Sequence, residues 1–130
     1  MSDLAKRAVA CKAWRWQEGM LVLLAGWRVV RLVHDTGIGD FHGVVLATGR
    51  YLRLPMESDS IPDPNDPATI GCLMQMLRDK YPTAEIEISW LPASDTTTIR
   101  IDDGHQWLAG KGATLAEALV AALEVERCPV

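Results

Sequence analysis

Two helical patterns enclosing three short alternating stretches confine the second half of this chain to a small antiparallel sheet packed by helices. The first pattern lies in DPATIGCLMQMLRDKYP and the last in GATLAEALVAALEVE, with EIEISW, TTTIRID and HQWLAG between them. Within EIEISW, Ile86, Ile88 and Trp90 point one way and Glu85, Glu87 and Ser89 the other. In the next stretch Thr97, Ile99 and Ile101 share a face and Arg100 lies with the opposite set. Asp103-Gly104 signals a tight two-residue hairpin before Trp107, and Pro92 to Asp95 forms a looser connection. One face of the resulting three-stranded sheet would be covered by both helices.

The helix ends carry their own chemistry. Asp66 can accept from the free amides of a first turn, and Pro67 suits the first helical position. Ile70, Leu73, Met74 and Leu77 then form an apolar stripe. Arg78 and Lys80 fall in the last turn, where cations favour the carbonyl end, and Pro82 stops continuation. Thr114 and Glu117 make a capping-box pattern, followed by Leu115, Ala118, Leu119, Ala122 and Leu123.

The first half reads as a short helix from Ser2, with Leu4, Ala8 and Cys11 on one face and Gly19 closing the segment. Strands follow in MLVLLAG, WRVVRLVHD, FHGVVLATG and YLRLP, with Gly26 near the first turn. The fold class is therefore α+β and two-layer: helix–three antiparallel strands–helix in the C-terminal half, preceded by a short helix and β-hairpin strands. The chain, 130 residues long, fits one domain. Residues 1–55 and 66–130 are left open as sub-lobes joined by the Pro-, Asp- and Ser-rich loop 56–65.

Composition excludes several classes. Nearly half the residues are apolar, which argues against disorder. No apolar run approaches the ~20 residues of a membrane span, and the mixed-charge N-terminal segment lacks a signal peptide's apolar core, so cytoplasmic residence is expected. Cys11, Cys72 and Cys128 form neither an even disulfide set nor a CxxC motif; Cys72 reads as buried and Cys128 as exposed. Charge is divided: residues 1–55 hold eight basic and four acidic side chains, and residues 56–130 hold five basic and thirteen acidic ones. The halves can attract each other, or the acidic half can face a basic partner.

Candidate sites are few. His34, Asp35, Asp40 and His42 bracket HDTGIGDFHG, and two imidazoles with two carboxylates could hold a divalent ion, although His and Asp are ordinary at strand ends. Asp102, Asp103 and His105 surround a turn that already explains Asp103. Gly110, Lys111 and Gly112 precede a helix, where free amides could hold an anion through Lys111 and Gly112. Helix–three strands–helix is also the order of double-stranded-RNA-binding domains, which grip phosphates with lysines at the start of the last helix. Here those positions are Leu115, Ala116, Glu117 and Ala118, in an acidic half, so nucleic acid is not the expected ligand. Of five tryptophans, Trp27, Trp90 and Trp107 fit strand faces as core residues. Trp14 and Trp16, two apart at the end of the first helix, cannot share one stripe; with Arg15 they make a partner-contact candidate.

AWRWQEGM, DPNDPATIGCLMQMLRDKY and GATLAEALVAAL resemble segments of small uncharacterised proteins of tailed bacteriophages and prophages. That resemblance covers the chain in patches and carries no catalytic motif. It implies a bacterial cytoplasmic setting and no transferable functional residue. The expectation is a protein without enzymatic activity or cofactor, acting through contact with a host or phage protein. The alternative is a small-ligand- or metal-binding module, or a minor enzyme, using the His34–His42 loop.

Overall fold

The computed structural model describes residues 3–24, 28–37, 40–55 and 60–125. Ser2, Gly26, Trp27 and Cys128, each given a role above, lie outside the described residues. The element order is α1 (Asp3–Ala10), β1 (Leu21–Leu24), β2 (Arg28–Asp35), β3 (Asp40–Val45), β4 (Tyr51–Pro55), β5 (Ile61–Pro62), α2 (Pro67–Lys80), β6 (Glu85–Leu91), β7 (Thr96–Asp102), β8 (Gln106–Gly112) and α3 (Leu115–Glu124). The fold is α+β with two antiparallel sheets, a short leading helix and a C-terminal helix–strands–helix order. None of the described helices is long and apolar enough to cross a membrane.

Two compact units divide the chain, one comprising residues 15–72 and the other residues 1–14 with 73–130. The first is a five-stranded sheet in the order β4-β3-β2-β1-β5. Its β5 lies inside the Pro- and Asp-rich stretch expected to be loop throughout, and pairs Leu23 with Ile61 and Val22 with Pro62. Val22, Val30, Leu32, Phe41, Val45 and Leu54 fill one face, as their pairing register requires. The first turns of α2 are fixed to this sheet by a chain of polar contacts. Asp66 Oδ2 accepts from Thr69 N at 3.1 Å and from Thr69 Oγ1 at 3.2 Å. Leu21 N donates to Thr69 Oγ1 at 3.0 Å, and Arg31 Nη1 donates to Asp66 Oδ2 at 2.6 Å. The expected helix cap is thus also half of an ion pair. Burial pushes the Asp66 carboxyl up, but the Arg31 and Thr69 hydrogen bonds outweigh it and hold the group below the usual carboxylate range.

In the second unit, β6-β7-β8 is a three-stranded sheet. Ile86 pairs with Ile101, Ile88 with Ile99 and Trp90 with Thr97, so the expected faces hold and the structure adds their register. The turn between β7 and β8 is one residue longer than Asp103-Gly104 suggested, because Asp102 pairs with Gln106. Gly104 adopts φ +114°, and its N–H donates to Asp102 Oδ1 at 3.1 Å. Helix α3 begins with the capping box: Glu117 N donates to Thr114 Oγ1 at 3.1 Å, and Ala113 N donates to Glu117 Oε2 at 2.8 Å. Ala116, Ala118, Leu119, Val120, Ala122 and Leu123 are all buried. Arg78 and Lys80 lie in the last turn of α2 as expected, and Lys80 also serves α3. Its Nζ donates to Leu123 O at 3.0 Å and to Val125 O, satisfying carbonyls at the end of α3. Arg7 of α1 reaches Glu124 of α3, with Nε–Oε2 at 3.1 Å and Nη2–Oε1 at 2.5 Å.

Three expectations about side-chain placement change. In α2 the buried positions are Thr69, Cys72, Leu73, Met76 and Leu77, while Met74 is 42% exposed. Helix α1 stops at Ala10, so Trp14 and Trp16 lie beyond it, outside any helix or strand. Trp90, expected in the core, is 60% exposed.

Candidate functional site

The exposure of Trp90 follows from where α3 lies on its sheet. A Cβ added at Gly110 would stand 2.3 Å from Ala118 O and 2.6 Å from Ala122 N, so helix backbone rests directly on β8. At Gly112 the corresponding atom is Glu117 Cβ, at 2.4 Å. A helix about 10–12 Å across covers roughly 5–6 Å to either side of its axis, enough to reach a neighbouring strand about 4.8 Å away but not the next one. Centred over β8, α3 therefore shields Ile99 and Ile101 of β7 and falls short of β6. Ile99 and Ile101 are fully buried, whereas Ile88 is 39% and Trp90 60% exposed on the same face.

Strand β6 is also an edge: among the described residues it pairs with β7 alone. Its other face carries Glu85, Glu87, Ser89 and Leu91, the last 47% exposed. Glu85 lies directly opposite Asp102, a like-charge pair, and Glu87 lies opposite Arg100. Like charges directly opposite each other oppose pairing. Trp90 Nε1 donates to Asp95 Oδ1 at 3.2 Å, which orients the indole at the strand's end. Asp95 itself sits at φ +49° in the loop to β7.

The other surface belongs to the five-stranded sheet and lies opposite its filled face. Antiparallel pairing with a register shift after Leu32 sets His34 against His42, with ring centroids 5.6 Å apart. His42 also meets Tyr51 edge-on at 6.2 Å, and His34 Nδ1 is 3.9 Å from Glu18 Oε1. Asp40 is taken by Arg53, whose Nε and Nη2 both lie 2.7 Å from Oδ2. Asp35 turns to its own loop, accepting from Gly37 N at 2.8 Å. The two histidines are brought together and the two aspartates are engaged elsewhere. Among the described residues no group of three or more His, Cys, Asp and Glu side chains is placed to share a metal ion.

The remaining sequence candidates are dispersed. Trp14 is half-buried, Arg15 exposed and Trp16 half-buried, and the division between the two units falls between residues 14 and 15. Lys111 is exposed, and the first-turn amide side of α3 beside Gly112 already receives the Glu117 carboxylate through Ala113 N. Cys11 and Cys72 are both buried, and burial pushes both thiols up. The edge of β6 was missed because alternation assigns a face without saying whether anything covers it. No protein-family model, characterised protein or solved structure matches this chain.

Proposed function

We propose that this chain is a non-enzymatic factor acting through protein–protein contact, of the kind encoded by tailed phages and prophages, working in the bacterial cytoplasm on a host or phage protein. Trp90 is the observation that carries this reading: a large indole, 60% exposed, held by Asp95 on an edge strand beside exposed Ile88 and Leu91. Tryptophan is favoured at the centres of contact surfaces because it removes a large apolar area from water at little cost in side-chain freedom. Three carboxylates are engaged in holding the fold, Asp40 by Arg53, Asp66 by Arg31 and Glu117 by the α3 cap. The overall charge of −4 disfavours nucleic acid as the partner. Affinity purification from phage-infected or lysogenic cells tests the reading. A stoichiometric protein partner is expected; recovery of nucleic acid or metabolites alone would refute it.

A second reading, a small-ligand-binding module, draws on the side-by-side placement of His34 and His42 next to Tyr51. Under it, a double His34→Ala/His42→Ala variant loses the thermal stabilisation conferred by the ligand while its ligand-free melting temperature stays near that of the wild type.

A further inference from the structure

We infer that the outer edge of β6 accepts an extended, basic segment of a partner protein as a fourth strand of the C-terminal sheet. This rests on the contact reading above and names its site and the partner's chemistry. Strand addition needs an edge with free main-chain groups, and among the described residues the outer edge of β6 is unpaired along all seven of its residues, Glu85–Leu91. On the α3 side an added strand would place alternate residues beside Ile88 and Trp90, which α3 leaves uncovered. Burying them is the driving force. On the opposite side the intervening residues would lie beside Glu85 and Glu87. The β6–β7 hairpin, residues 85–103, holds Glu85, Glu87, Asp95, Asp102 and Asp103 against Arg100 alone. Lysine or arginine at those positions relieves the Glu85–Asp102 repulsion that the sheet carries by itself.

The same charges choose between occupants. Acidic residues on an exposed edge discourage pairing with a second identical edge, because two such hairpins bring their negative fields together. They discourage a cationic strand not at all. The segment that fits alternates apolar and basic residues and carries no proline where it must donate to β6.

The probe is a fluorophore-labelled, end-capped Lys-Val-Lys-Val-Lys-Val-Lys peptide titrated with the full chain. Saturable binding is expected, with shifts of the amide resonances of residues 85–91. Affinity should fall about tenfold or more in Glu87→Lys, and equally when alternate peptide amides are N-methylated, since both the charge match and the main-chain pairing are then lost. Asp79→Lys, which changes net charge equally on α2, should leave affinity within about twofold. No binding, or equal losses in Glu87→Lys and Asp79→Lys, would overturn the inference. So would a wild-type dimer seen by light scattering and dissociated by Trp90→Asp, which would assign the edge to a second copy. The parent reading fails separately. A cellular protein captured equally by wild type and Glu87→Lys overturns the β6 edge alone, whereas capture of no protein overturns both.

Discussion

Replacing Gly110 by alanine tests the placement of α3 from which the exposure of β6 follows. The added methyl would sit 2.3 Å from Ala118 O and 2.6 Å from Ala122 N. Carbon contacts are comfortable only from about 3.5 Å, so the helix must retreat by on the order of 1 Å. Both obstructing atoms are backbone and cannot move to another rotamer. The retreat would also loosen the packing of Leu119, Val120 and Leu123, all 2% exposed or less. Overpacking a core by one methyl costs about 1–3 kcal/mol, and a rigid backbone obstruction places this substitution near ~3 kcal/mol. Domains of this size are stable by only about 5–15 kcal/mol. With urea slopes of roughly 1–3 kcal/mol/M, the midpoint should fall by roughly 1–3 M, measured by circular dichroism. Gly71→Ala supplies the opposite sign. Gly71 lies in α2 with nothing within 4 Å of the added Cβ, so alanine should stabilise by about 0.5–1 kcal/mol. A Gly110→Ala midpoint indistinguishable from wild type would refute the close seating of α3 on β8, and with it the account of why β6 is uncovered.

Removing the Thr114 cap with Thr114→Ala should cost ~1 kcal/mol in urea unfolding, because Glu117 N loses its acceptor. Stability should be present above about pH 4, the ordinary range of an unfolded carboxyl, and decline as pH falls through the depressed folded-state values of Asp66 and Glu124. For Glu124 the hydrogen bond from Arg7 is the main cause, opposed by burial. Asp66→Asn should flatten part of that acid decline in pH-dependent urea titrations; an unchanged profile would show that the Arg31–Asp66 pair does not drive it. Cys11 and Cys72, buried and with raised thiol pKa values, should alkylate with iodoacetamide at neutral pH at least about tenfold more slowly in the native chain than in urea, as followed by peptide mass spectrometry.

Local chemistry carried much of the fold. Asp66 and Pro67 located the start of α2, Thr114 and Glu117 that of α3, and alternation assigned β6 and β7 to their faces, since hydrogen bonding to near neighbours and a period of two residues are properties of short segments. The 5.6 Å meeting of His34 and His42 was half-legible: both histidines were singled out, but which of the four candidate side chains would converge depended on a register shift after Leu32. Ile61–Pro62 gave no strand signal, because two residues have no period and β5 exists only by virtue of β1 beside it.

Long-range geometry decided the rest. Arg31 finds Asp66 across 35 positions, Lys80 finds the end of α3 across 43, and Arg7 finds Glu124 across 117. No window of neighbouring residues contains those pairs. Trp90 shows the distinction most plainly. Its strand and its face were written in EIEISW, but its exposure depends on two glycines in β8 that draw α3 to one side of the sheet. Periodicity orients a side chain relative to its own backbone; whether another element arrives to cover it is a matter of how the elements stack.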